Sequence, residues 1–230
     1  MRVVGGRHLI QFSLESAILS GVEEIVVVVG YRAESIINAF GISYRDIRIR
    51  YVLQRELKGL VDAMDQAREA LEEQDFILLL GDEILRNPRP REMIACFQEQ
   101  NLFALCGVAQ VTDLQEIKKT YAVLHNPYDN RIYRLIEKPK TPTNSYMGTG
   151  NCVFSSGILD YIEATPTHPI RRERELPDLI QCAVDDGHPV KLFVIGTDYV
   201  NVNTADDMRI AADLHGREKA PWRALEPVLP

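Results

Sequence analysis

Asp82 stands at the end of an apolar run, Ile77-Leu78-Leu79-Leu80, with Gly81 forming a tight exit before it. A lone carboxylate leaving a buried strand suits Mg²⁺, which takes one or two protein carboxylates and completes its shell with substrate phosphates. Upstream, the run Tyr51-Val52-Leu53 ends at Gln54. A glutamine amide presents donors and an acceptor together, as the edge of a nucleobase requires. Gly59 precedes Leu60-Val61-Asp62-Ala63, and a glycine at that turn lets backbone approach a flat ligand closely. Each residue also has an ordinary reading: a surface turn glutamine, a helix-capping glycine, a loop aspartate. Their order favours a nucleotide site. Two apolar runs end in polar residues with a helix-like segment between them, which is a βαβ unit, and open α/β sheets bind ligands at the carboxyl ends of their strands.

The elements that must hold these residues follow from hydrophobic periodicity. Leu9, Ile10, Phe12, Leu14, Ala17 and Ile18 give a helical face ended by Gly21. Glu24 to Gly30 is a continuous β-branched run, the pattern of a strand buried on both faces. A helix is expected over 33–40, a strand over 47–53, a helix over 61–73, a strand over 76–80, a helix over 90–100 and a strand over 102–111. That alternation implies a doubly wound, mainly parallel sheet. After Thr112 the texture changes. Tyr121–Leu124 and Arg131–Ile136 flank a turn sequence, Asn126-Pro127-Tyr128-Asp129-Asn130, and read as a hairpin. A strand over 146–154, a short helix over 158–163, a helix over 176–186 with Pro177 in its first turn, and a strand over 189–195 follow. Thr204 is placed to cap a helix over 205–214. The chain therefore reads as one domain, 1–215, with a nucleotide-binding half (1–111) and a smaller β-rich half (112–215), and a loosely held tail over 216–230.

Composition limits the function. The chain has 230 residues and a net charge of −7, and its one basic cluster is Arg171-Arg172 with Arg174, so nucleic-acid binding is not the expectation. Phosphates would need a local cation or Mg²⁺. The four cysteines show no CxxC spacing, which favours reduced thiols, a cytoplasmic protein and no structural zinc. No apolar run is long enough to span a bilayer, and the first residues do not form a signal peptide.

These residues, in this order, resemble the sugar-1-phosphate nucleotidyltransferases over nearly the whole chain. Gln54 with Gly59-Leu60 looks like the family's base-binding segment, and Gly81-Asp82 like its metal-binding aspartate. Tyr121-Ala122-Val123 resembles the sugar-site segment, with Ala122 where the family usually has glycine. Glu137-Lys138-Pro139 resembles the motif whose glutamate meets sugar hydroxyls and whose lysine meets the sugar phosphate. Thr149-Gly150 resembles the lining of the sugar pocket, and Glu175-Leu176-Pro177-Asp178 the segment beside it. Asn201-Val202-Asn203-Thr204 resembles the stretch that carries a second metal ligand, where many members have aspartate. The resemblance implies a Rossmann-like nucleotide-diphospho-sugar transferase fold with a small β-rich sugar-binding region. It also implies transfer of NMP from an NTP to a sugar-1-phosphate with release of pyrophosphate, Mg²⁺ held by Asp82 and Asn201, and catalytic roles for Asp82 and Lys138. Read without the family, Glu137-Lys138 is a solvated strand end, and Asn201 and Asn203 are equally loop asparagines before a helix cap.

Members of the family open with a strand and a Gly-rich loop that carries cations to the triphosphate. Met1 to Gly6 resembles only the lead-in to the first helix, and Gly5-Gly6-Arg7 reads as the turn before it. That strand lies inside the family's sheet. Its absence has three readings: a sequence that starts short, a place in the core filled by another segment or a partner chain, or a protein that has lost catalysis. Left unfilled, it implies unpaired backbone groups costing on the order of 1–3 kcal/mol each and an edge open to pairing between chains, from which self-association as a homo-oligomer is the expectation. It also keeps a second class in view: a catalytically silent homologue that binds nucleotide or nucleotide-sugar, or a subunit of an active partner. A glycosyltransferase of related fold ranks last, because Gly81-Asp82-Glu83 is not a D-x-D metal motif.

Overall fold

β-Branched side chains lose rotamer freedom in helices and pack well on a pleated surface, and the valines at 26–29 lie in a strand accordingly. The computed structural model describes residues 2–216, so most of the tail expected over 216–230 lies outside the described residues. A hairpin of β1 (Val3–Val4) and β2 (Arg7–His8) leads into helix α1 (Ile10–Ser20), which stops at Gly21. Then come β3 (Glu24–Val29), α2 (Ala33–Phe40), β4 (Ser43–Tyr44) and β5 (Ile47–Leu53). The single helix expected over 61–73 is two, α3 (Leu60–Gln66) and α4 (Arg68–Leu71). They part at Ala67, whose N–H is shared between the carbonyls of Ala63 and Met64, a tightening typical of helix ends.

The next strand, β6 (Phe76–Leu78), is shorter than expected, and a strand with no sequence signal, β7 (Glu83–Arg86), follows it. Helix α5 (Pro90–Glu99) starts on a proline, and β8 (Ala104–Gln110) follows. The expected hairpin is β9 (Tyr121–His125) with β10 (Ile132–Glu137). After β11 (Tyr146–Phe154), a 3-10 turn at Ser156–Tyr161 stands where a short helix was expected. Helix α6 (Leu176–Asp185), β12 (Val190–Val194), an unexpected β13 (Asp198–Asn201) and α7 (Ala205–Gly216) complete the chain. Thr204 caps α7 as expected: its Oγ1 accepts from the Asp207 N–H at 3.2 Å, and the Asp207 carboxylate accepts from the Thr204 N–H at 2.7 Å.

The architecture is mixed α/β. Its largest sheet has the order β10-β9-β11-β8-β12, with β6 also on β11. Within it only β8–β12 is parallel, so the sheet is mixed rather than mainly parallel. The reason lies in β11, a nine-residue strand laid antiparallel between β8 and β6, with β9 against its first residues. A register shift between Gly148 and Cys152 lets it change neighbours along its length. A second sheet holds β3, parallel to β5, and β4. No ladder joins β3 to β6 among the described residues. Between these two strands lies a cavity of about 650 Å³. The largest apolar cluster joins β8, β9 and β11 to α6 through residues such as Val108, Phe154, Ile158 and Leu179.

Candidate active site

The two strands that the sequence does not announce assemble the candidate metal site. β7 and β13 pair antiparallel, with Asn201 opposite Glu83, and the Val202 N–H donates to the Asp82 carbonyl at 2.8 Å. Asp82 and Asn201, 119 residues apart in the chain, are thus neighbours. Burial raises the Asp82 carboxyl above the usual carboxylate range, and the Arg2 guanidinium opposes that shift without cancelling it. A partly desolvated carboxylate of this kind gains from a divalent cation. The Asn201 Oδ1 accepts from Asn203 Nδ2 at 2.9 Å and retains a second lone pair. Among the described residues no group of three or more His, Cys, Asp or Glu side chains gathers to hold a metal. One carboxylate and one amide fit Mg²⁺ in its substrate-assisted form, with phosphate and water as the remaining ligands.

Glu83 is the residue that sequence reasoning passed over. It is 6% exposed, and its carboxylate accepts from the Gly150 N–H at 2.9 and 3.1 Å, from Asn151 Nδ2 at 2.7 Å and from the Tyr199 hydroxyl at 2.6 Å. Burial raises its pKa to about 7, although the hydrogen bonds pull the other way. The side chain next to Asp82 therefore clamps Thr149-Gly150-Asn151 onto β7. Gly150 has no room for a side chain, since a Cβ there would stand 2.2 Å from Leu80 Cγ. Thr149 is buried, its Oγ1 donating to the Gly107 carbonyl at 2.9 Å. Tyr121 and Ala122 are buried as well. The Tyr121 hydroxyl donates to the Thr149 carbonyl at 2.9 Å, so its side chain braces the pocket segment from behind. Ala122 packs with Met147 and Ile117. The only sequence signal for Glu83 is a second carboxylate directly after Asp82 and before the apolar pair Ile84-Leu85.

Glu137 closes β10 opposite Tyr121, and Tyr121 is opposite Gly148 on β11. Glu137 is thus two strand spacings, about 10 Å, from the Thr149-Gly150 segment. It is half-buried, with Lys138 Nζ at 3.3 Å and Arg171 Nη2 at 3.7 Å from its Oε1. Burial, then the nearby Glu175, raise its pKa. Lys138 adopts φ +44°, and its N–H donates to the Thr120 carbonyl at 2.6 Å, which turns the chain out of the sheet. Arg171 also pairs with Glu175 and lies 3.7 Å from Glu173. Of the basic cluster seen in the sequence, Arg171 is thus a local partner of acidic side chains, and Arg174 donates to the Thr165 carbonyl at 3.3 Å.

Gln54 follows β5, and its Nε2 donates to the Gly59 carbonyl at 3.1 Å and to Asp62 Oδ2 at 2.7 Å. Gly59 caps α3 at φ +92°, a conformation that L side chains rarely adopt, and a Cβ there would meet Glu173 Oε2 at 2.7 Å. Leu60 opens α3 and packs against the main core. Through Glu173 the segment 171–175 touches both Gly59 and, by way of Arg171, Glu137. Gln54 and Gly59 form one cluster, Glu137 and Lys138 a second, and Asp82, Gly81, Gly150 and Asn201 a third. The first is separated from the third by β3, the cavity and β6.

The nucleotidyl transferase family profile matches residues 1–214. The UTP–glucose-1-phosphate uridylyltransferase AglF of Haloferax volcanii is 30% identical over 188 residues, which are 81% of this chain and 75% of that protein. The glucose-1-phosphate thymidylyltransferase of Streptomyces griseus is 27% identical, over 89% of this chain and 56% of its own length. Among solved structures, the UTP-bound UGPase from Acinetobacter baumannii superposes with a TM-score of 0.80 at 20% identity, covering 100% of this chain and 91% of that one. The inositol-1-phosphate CTP transferase from T. maritima gives 0.73 at 22% identity, over 96% and 88%. At such identities the structural likeness establishes the fold.

Proposed function

Given that the chain belongs to the nucleotidyl transferase family, we propose that it transfers NMP from an NTP to a sugar-1-phosphate and releases pyrophosphate. Its curated relatives are sugar-1-phosphate nucleotidyltransferases. The observation that carries the reading is the meeting of Asp82, Asn201 and Gly150 at one sheet edge through the β7–β13 ladder and the Glu83 clamp. Phosphoryl transfer needs positioning and charge neutralisation more than covalent help. Asp82 and Asn201 would hold Mg²⁺, which supplies charge neutralisation between two anionic phosphates. Lys138 sets a cation beside the attacking phosphate of the sugar, and Glu137 accepts from sugar hydroxyls. Gly150 and Thr149 supply backbone against the sugar. Gln54 and the Gly59-Leu60 backbone receive the base; to do so, the Gln54 amide exchanges one of its internal bonds for the base edge. The reading places the reaction in the cytoplasm, in keeping with four free cysteines; no helix among the described residues is long and apolar enough to cross a membrane.

A second reading, that the chain acts as one part of an assembly, is favoured by the facing edges of β3 and β6, which no ladder joins among the described residues. One experiment addresses both readings: pyrophosphate release with Mg²⁺ across the NTPs and a panel of sugar-1-phosphates, beside an Asp82→Ala control. Release above the control supports the transferase and names the substrates. Thermal stabilisation by nucleotide without release supports the binding subunit, and the absence of both release and stabilisation would sink the reading of Gln54 and Gly59 as a base pocket.

A further inference from the structure

The base cluster has a polarity that its residue types alone do not set. A glutamine amide carries an acceptor and a donor on one planar group, and half a turn about one bond exchanges them. In this fold the two ends of Gln54 are not equivalent. The Gln54 N–H donates to the Val29 carbonyl at 2.8 Å, so the residue is rooted where β3 and β5 end together. Its side chain then stands between two groups of α3 and its cap, the Gly59 carbonyl at 3.1 Å and Asp62 Oδ2 at 2.7 Å. Both are acceptors and neither donates, so the amide end between them is the nitrogen. The oxygen faces the other way, and no donor among the described residues meets it.

Asp62 is placed for this task by the helix. Gly59 is the N-cap of α3 and Asp62 its third residue, a position from which a side chain reaches back over the helix start. Val61 is fully buried and Leu60 packs against the main core, so the first turn is fixed. Asp62 joins no ion pair among the described residues; Lys58, a cation of the connecting loop, is taken by Glu56 at 2.6 Å. The bond from Gln54 to Asp62 is charge-assisted and the shorter of the two, hence the stronger. The Gly59 carbonyl has a second donor, the Ala63 N–H at 3.2 Å. An incoming base therefore takes the amide from Gly59 at little loss and leaves it on Asp62.

We propose that Asp62 is a positioning residue for base recognition: it holds the Gln54 amide with the nitrogen inward and the oxygen toward the base, so that the site reads a hydrogen-bond donor on the base edge. This rests on the nucleotidyltransferase reading of the same site and deepens it. Uracil and cytosine show why the sense of the amide matters. Their rings have nearly one shape, with donor and acceptor exchanged at two neighbouring positions. Uracil carries N3–H beside a carbonyl, and cytosine carries a bare N3 beside an amino group. A glutamine free to turn serves both. In a pocket that seats both rings alike, a glutamine held in one sense pairs with one base and sets like against like with the other, which leaves polar groups desolvated and unpaired.

The test is equilibrium binding of UTP and of CTP to the full chain by calorimetry with Mg²⁺, with pyrophosphate release measured alongside. Asp62→Asn keeps the size of the side chain and adds a donor, so the Gln54 amide is held in either sense. The unchanged protein is expected to favour one of the two nucleotides by about tenfold or more, and Asp62→Asn to remove most of that preference, through Kd and KM with kcat little altered. Asp65→Asn removes the same charge from an exposed part of α3, where Asp65 bonds Arg68, and is expected to keep the preference. A merely structural role for Asp62 would weaken both affinities together and leave their ratio. An unchanged ratio in Asp62→Asn, or an unchanged protein that binds both nucleotides equally, overturns the proposal and leaves the base pocket standing. Binding of neither UTP nor CTP overturns it as well, and silence with ATP and GTP besides sinks the reading on which it rests.

Discussion

Strands β8 and β3 are both almost wholly apolar, Ala-Leu-Cys-Gly-Val-Ala-Gln against Glu-Ile-Val-Val-Val-Val, and β3 has the longer β-branched run. Yet Ala104 to Ala109 of β8 are all buried, whereas in β3 only Ile25 and Val29 are. The difference is in neighbours. Among the described residues β8 has a ladder on each side, with β11 and β12, and β3 has one, with β5. Hydrophobicity proposes a central strand, and pairing on both sides makes it one. The candidate catalytic cluster hangs on the closed region, through β11 and β7, while the candidate base cluster hangs on the open one.

Four changes test that contrast. The largest effect is expected at the edge of the closed region. Asp82→Ala removes the only carboxylate of the proposed metal site and should lower pyrophosphate release by on the order of 100-fold or more, with thermal unfolding little changed. An equal rate in a metal titration of both proteins would separate Asp82 from catalysis. Next, Gly148→Ala places a Cβ 2.0 to 2.4 Å from the Tyr121 ring, which its hydroxyl bond to Thr149 holds in place. Overpacking there should cost about 3 kcal/mol in denaturant unfolding.

The third is a pH effect. Glu83 has its pKa raised to about 7 by burial, so the folded chain binds a proton that the unfolded chain has released. Stability is then greatest below the ordinary glutamate range and falls as pH rises from about 4.5 to about 7, by on the order of 2–3 kcal/mol. Denaturant unfolding in metal-free buffer should show that slope, and Glu83→Gln should flatten it. The smallest effect belongs to the open region. Ala17→Leu projects methylenes into the cavity between β3 and β6 and should stabilise the chain by about 1 kcal/mol, where added bulk in the closed region destabilises. Destabilisation by Ala17→Leu would show that the two regions are equally packed.

Local signals carried much of this protein. The α1 stop at Gly21, the strands at 24–29, 47–53 and 146–154, the 126–130 turn and the Thr204 cap are all legible, because periodicity, glycine and short polar side chains act over a few residues. Missed were β7 and β13, four residues each and stabilised by pairing with one another across more than a hundred positions. With them went Glu83, whose partners Gly150, Asn151 and Tyr199 come from distant parts of the chain. The expected mainly parallel sheet became mixed for the same reason: nothing within β11 records the direction of its neighbours.

The sequence by itself determined the α/β class, the order of elements and the residue types available for nucleotide, metal and sugar phosphate, because these rest on side-chain chemistry and short-range backbone preference. The tertiary structure alone decided that Asp82 meets Asn201, that Glu83 binds Gly150, that Tyr121 supports the pocket from within the core, and that β3 and β6 face one another across a cavity. Such facts depend on which strand edges find each other, and a backbone hydrogen bond between strands is nearly indifferent to the residues that carry it.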